Sequence, residues 1–157
     1  MSRYTGRGLP PYRYVPGRSP HPTRHPDGHA FGVPEPDPPP IDPHRWRECE
    51  PFLYAVDLFN QGYWWEAHEE LEGLWRAAGR RSETGAFLQG LIQVAAALLK
   101  DSMGERPAAR RMAARGCSKL RRASGVFLGI DARTLSAEVE AFLSGDAPDP
   151  PAIRLAW

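Results

Sequence analysis

One histidine and the carboxylates beside it carry whatever chemistry this sequence can perform. His68, Glu69 and Glu72 lie in FNQGYWWEAHEELEGLW, Phe59 to Trp75. On a helix His68 and Glu72 stand one turn apart and share a face. An imidazole and a carboxylate placed in this way can hold a cation, with Glu69 beside them as acid or base. His68 and Glu69 are therefore the candidate catalytic pair of a hydrolase-like reaction, with or without metal assistance. The donor set argues against assigning a metal. There is no HExxH pattern, the folded region has no second histidine except His44, and zinc asks for more nitrogen or sulfur ligands. A harder cation would accept carboxylates, but Gln is a poor anchor for one. No cofactor is indicated.

A second stretch, FLQGLIQVAAALLK from Phe87 to Lys100, places Gln89, Gln93 and Lys100 along one strip of an otherwise apolar helix. If the two helices are antiparallel neighbours, His68, Glu69 and Glu72 approach Gln89 and Gln93, with Trp75 at the edge. Two readings stay open. In one, the Gln amides and a carboxylate–lysine pair through Lys100 satisfy one another, with His68 as a core histidine, in a structural network that fixes helix register, since buried amides and charges need partners. In the other, the six residues bind a small ligand. The same projection points Glu66 and Glu70 away from the core, toward the surface. Trp64 and Trp65 diverge by about 100°, so one of them meets another helix, solvent or a partner chain. Self-association as a homodimer is an expectation from that divergence.

These residues need a helical frame. Asp42-Pro43 can cap a short first turn. Phe52, Ala55, Val56 and Phe59 repeat at helical spacing after Pro51, and Gly62 ends that helix. The second helix spans about Tyr63 to Ala78. The third spans about Glu83 to Ser102, capped by Ser82. The fourth spans about Pro107 to Ala123, and the last runs from the Asp131 cap to Leu143. Ser124 to Ile130 is Gly-punctuated and predicts a packed loop. Ile153 to Trp157 alternates and predicts an extended tail over the bundle. No β-hairpin signal is present. The fold class is all-α, a compact bundle of about five helices.

Eleven of the 17 prolines fall in residues 1–40. Proline lacks an amide hydrogen and clashes with the preceding turn, so this segment holds no regular helix. It is expected to be a disordered arm, residues 1–40, ahead of a folded domain, residues 41–157. His21, His25 and His29 are evenly spaced there, but Pro22 and Pro26 forbid the helix that would align them. The arm's arginines and tyrosines read as a plain linker rather than an RNA-binding segment.

The net charge of +1 points to neither nucleic acid nor membrane. The fourth helix carries Arg106, Arg110, Arg111, Arg115, Lys119, Arg121 and Arg122 without interleaved aromatics. This predicts a solvated face, or pairing with acids on the second helix, rather than a nucleic-acid interface. Cys49 and Cys117, with no CxxC spacing and no apolar leader, fit a reduced cytoplasmic protein. No apolar run is long enough to span a bilayer.

The two stretches together resemble a bacterial and archaeal family, the domain of unknown function numbered 309. VFLGID and the closing Pro151-x-Ile153-x-Leu155 pattern are similar to it as well, so the resemblance covers about residues 48–157. The matching positions are Phe59, Asn60, Gly62, Glu66, Ala67, His68, Glu69, Glu72, Trp75, Gln89, Gly90 and Gln93. The resemblance implies a compact all-α fold with no established activity. Similar sequences often place a histidine at the end of the third helix, where this chain has Lys100. A metal site using that histidine would be impaired here. The turn also resembles a tetratricopeptide hairpin, but no second copy follows at the required period.

Overall fold

The computed structural model describes residues 1–157. A 3₁₀ turn, Pro43–Glu48, precedes five α-helices. They are α1 (Glu50–Asn60), α2 (Trp64–Ala78), α3 (Glu83–Ser102), α4 (Arg106–Leu120) and α5 (Ala132–Leu143). The expected all-α fold is what the chain adopts. No helix is long and apolar enough to cross a membrane.

The boundaries follow from local chemistry. Gly62 adopts φ +80°, the left-handed conformation that turns α1 into α2. Ser82 Oγ accepts from the Gly85 amide at 2.9 Å and opens α3. Asp131 Oδ1 accepts from Arg133 and Thr134 at the head of α5. Asp42 caps the 3₁₀ turn through the His44 amide.

α3 is the central rod, packed against α2 on one side and α4 on the other. Phe87, Leu88, Leu91, Val94 and Leu98 are sealed within it. The α3–α4 approach is set by two glycines. A methyl group on Gly90 would lie 2.9 Å from the Gly116 carbonyl oxygen, and one on Gly116 would lie 2.8 Å from that of Gly90. α1 packs on α2, and α5 on α4.

One element escapes the sequence reading. Val126–Phe127 and Ile130–Asp131 pair as a two-residue antiparallel hairpin where a packed loop is expected. Its turn residues, Leu128 (φ 50°) and Gly129 (φ 73°), are both left-handed. Leu128 is buried, which offsets the strain of that conformation. Gly129 has no room for a side chain, because the Trp46 ring would meet it at 2.5 Å.

The arm corrects a second expectation. Residues 1–40 contain no helix or strand, as their prolines require, yet they are docked on the bundle rather than disordered. The physical reason is a pair of buried acids. Asp57 of α1 is 1% exposed and accepts from the Tyr4 amide, the Thr5 amide and the Thr5 hydroxyl, at 2.7, 2.9 and 2.7 Å. Glu66 of α2 accepts from the Tyr14 amide at 3.0 Å, and its Oε2 lies 2.6 Å from His29 Nε2. Tyr54 and Tyr63 donate to the Gly8 and Pro10 carbonyls. Glu66 is thus buried, not on the surface. The outward face of α2 is covered by the arm.

The basic face of α4 is exposed, as expected for a solvated surface. Its ion pairs run to Asp101 at the end of α3 and to Glu140 of α5, from Arg106 and Arg121. None reaches the acids of α2.

Candidate functional site

α2 carries the candidate site and is polar on more than one side. Turning about 100° per residue sets Trp64, His68 and Trp75 within about 40° of one another on a single stripe. Glu72 and Glu69 follow round the helix. Glu66, Glu70 and Gly73 occupy the opposite face, under the arm, and Trp65 lies between the two faces.

The histidine cluster forms as the sequence suggests. His68 Nε2 lies 3.1 Å from Glu72 Oε1, and His68 Nδ1 lies 3.5 Å from Glu69 Oε1. The three side chains are half-buried, at 25%, 28% and 31% exposure. One ligand atom from each can be drawn within 4.8 Å of the others. Burial raises the Glu69 carboxyl above its ordinary range, and the His68 imidazole partly offsets this. Glu72 is also within 3.9 Å of Arg76.

The glutamine side of the expected seam is different. Gln93 Oε1 accepts from Lys119 Nζ of α4 at 2.8 Å, so it serves the α3–α4 contact and not His68. Gln89 is half-buried on α3 and makes no hydrogen bond to the histidine cluster. Lys100 pairs with Glu105 beyond the end of α3 at 3.7 Å, not with a carboxylate of α2. The strip on α3 therefore divides. Its glutamines and lysine find partners, where they have them, toward α4 and the α3–α4 turn.

What α2 keeps facing inward is a set of unsatisfied groups. Trp64 Nε1, His68 Nδ1 and Trp75 Nε1 are buried and have no hydrogen-bond partner. Trp75 is half-buried, with the Arg80 guanidinium 5.3 Å from its ring. A 3.5 Å approach of Glu69 to His68 Nδ1 is electrostatic contact without hydrogen-bond geometry, which explains why that nitrogen counts as unpartnered. Neither cysteine is an activated nucleophile. Burial raises both the Cys49 and the Cys117 thiol.

Residues outside the expected set also matter. Between the arm and α1–α2 lies a cavity of about 510 Å³, lined by Tyr54, Trp65, Glu66, Glu69 and Glu70 among others. The sequence held one signal of it: Asp57 sits inside the apolar run of α1, and a buried acid there needs amide donors from elsewhere. The tyrosines of the arm were the other half of that signal.

A family model described as a domain of unknown function (DUF309) matches residues 52–112. The match runs from α1 into α4 and includes the histidine cluster, while VFLGID and the closing tail lie beyond it. A comparison with curated proteins finds no match. The segment from Phe52 to Met112, with its FNQGYWWEAHEELEGLW turn and helix, is similar to the DUF309 family.

Proposed function

We propose that this protein is a small helical binding module whose recognition element is the inner stripe of α2. One observation supports the binding reading over the purely structural one. A network that exists to fix register has its buried polar atoms satisfied. Here Trp64 Nε1, His68 Nδ1 and Trp75 Nε1 are buried without partners on a single stripe, beside the Glu69 and Glu72 carboxylates. Two indole N–H donors, an imidazole nitrogen and two carboxylates form a half-buried edge that suits a small polar ligand with both acceptor and donor atoms. Gln89, on the adjoining helix, completes the reading as a ligand contact. Gln93 fits it less well because Lys119 holds its carbonyl oxygen. A reduced cytoplasmic setting accords with two free cysteines, and self-association is read by sedimentation of the intact chain.

The test is energetic. Substituting 3-benzothienylalanine at Trp75 replaces the indole N–H by sulfur and keeps the bicyclic ring. For an orphaned donor the change is neutral or stabilising, within about 1 kcal/mol, and it alters the response of α2 resonances to added ligand. A loss of more than about 1 kcal/mol in denaturant unfolding would show that the indole N–H serves the fold.

A second reading, hydrolysis, has its own observation: the burial-raised Glu69 carboxyl stands against the His68 imidazole. In that reading His68 takes a proton from the attacking water, and Glu69 gives one to the leaving group. Glu69→Gln and His68→Ala would then abolish turnover at unchanged melting temperature. Zinc or manganese added to the intact chain separates a metal-assisted form. His68, Glu69 and Glu72 supply three donors, and loss of metal binding in His68→Ala is the expected signature.

A further inference from the structure

The cavity under the arm has a chemical character of its own, on the face of α2 opposite the stripe. Its size, about 510 Å³, lies within the range of small-molecule sites. Its lining is rich in hydrogen-bond acceptors. Glu66, Glu69 and Glu70 contribute buried or half-buried carboxylates and Glu35 and Asp37 two exposed ones, against the single guanidinium of Arg7 and the imidazole of His29. Neither group is free. Arg7 lies over the Tyr54 ring at 4.0 Å and reaches Glu70 at 3.4 Å and Glu50 at 3.8 Å. His29 is spent on Glu66 Oε2.

The prolines of the wall supplied by the arm add no donors to offset this. Pro34, Pro36 and Pro38 have carbonyl oxygens but no amide hydrogens. They come close to α2 because Gly73 has no side chain; a methyl group there would lie 3.1 Å from the Pro36 oxygen. The Val33 amide is used by Ala30, and the Ala30 amide by Pro22.

A buried atom points the same way independently. Glu66 is 5% exposed, and its Oε1 has no hydrogen-bond partner although Oε2 has two. A carboxylate oxygen buried without a donor is costly. Two further carboxyls on the lining, Glu69 and Glu70, are raised by burial, with neighbouring carboxylates adding to the rise. Trp65 lines the same space and offers an aromatic ring of the kind that accepts ammonium and guanidinium groups, as the Tyr54 ring already accepts Arg7.

We infer that the cavity between the arm and α1–α2 binds a small organic cation, a primary ammonium or guanidinium compound, with Glu66 Oε1 as its buried acceptor and Glu70 as a second carboxylate. The inference does not rest on the stripe of Trp64, His68 and Trp75, and either can fail alone.

The experiment is calorimetric titration of the full chain with three compounds of one length: putrescine, 1,4-butanediol and succinate. Agmatine supplies the guanidinium arm. Putrescine or agmatine is expected to bind at least tenfold more tightly than the diol, and succinate not at all. Glu66→Gln and Glu70→Gln should each weaken the cation tenfold or more. The exposed Glu105→Gln, which removes the same charge far from the cavity, should leave it unchanged. Limited proteolysis of the arm shows whether Glu66→Gln has undocked it; in that event Glu70→Gln decides. Binding that does not distinguish the diamine from the diol, no binding at all, or equal weakening by Glu105→Gln overturns the proposal. Trp75→Phe, which touches none of the lining, should leave cation binding intact.

Discussion

The two faces of α2 are opposites in hydrogen-bond chemistry. The inner stripe buries nitrogens that nothing in the chain answers, the indole N–H donors of Trp64 and Trp75 and the Nδ1 of His68. The face under the arm holds acceptors: the buried Glu66 carboxylate and the half-buried Glu69 and Glu70. Both are only partly satisfied, but for different reasons. The stripe is part of the helix's own packing against the bundle, so its orphans come with the fold. The arm face is created by docking a segment that has few aliphatic side chains, and its acids owe their burial to that docking. One helix therefore presents two recognition surfaces, of which one depends on the bundle alone and the other on a second piece of chain.

That difference can be broken in a graded way. The largest effect is expected from removing residues 1–40. The cavity ceases to exist and organic-cation binding is lost entirely, while Asp57 and Glu66 return to water. Helical circular dichroism should persist, with stability lower by about 2 kcal/mol for the lost arm contacts. If residues 41–157 unfold instead, the arm is part of the core and the contrast between the faces is misdrawn.

A smaller effect is expected from Asp57→Asn. It replaces an acceptor of three hydrogen bonds by an amide whose NH₂ faces the Tyr4 and Thr5 donors. The cost is about 1–3 kcal/mol, borne by arm docking, and faster proteolysis near residue 5 would report it. Equal hydrogen exchange in α3 of the two proteins would confirm that the stripe side is untouched.

The smallest effect concerns pH. Burial raises the Glu70 carboxyl, with Arg7 partly offsetting. Between the ordinary glutamate value and this raised one, the folded state binds more protons than the unfolded state, so stability falls as pH rises through that window. Glu70→Gln should flatten that part of the stability–pH curve. An unchanged slope would mean that Glu70 titrates as it does in water.

Most of the helical frame was legible because its signals are local. Ser82, Asp131 and Gly62 each act within a few residues of their own position, and the structure uses them as caps and turn. The histidine cluster was legible for the same reason, since His68, Glu69 and Glu72 meet within one helix turn. The errors arose where a second element decides. Projection places Glu66 outward from the bundle correctly, but outward is toward the arm. Gln93 and Lys100 share a strip on α3, yet α4 and the α3–α4 turn claim them first. Leu128-Gly129 lacks the Asn-Gly or Asp-Gly pair that marks a tight hairpin, and only the burial of Leu128 makes that turn tolerable.

The two ends of the chain also meet. The Tyr4 hydroxyl accepts from the Leu155 amide at 3.0 Å, and the Tyr4 ring stacks on Trp157 at 5.8 Å. Asn60 clasps Ile153 from both sides of its amide group, at 2.7 and 2.8 Å. A short peptide linker would therefore join the ends without stretching the fold. New ends opened at the exposed Arg80-Arg81 loop would yield a circular permutant in which the arm follows the last helix in sequence but keeps its place in space. In such a permutant the arm face of α2 would be assembled by the closing segment of the chain, and its binding could be engineered through the length of the linker alone.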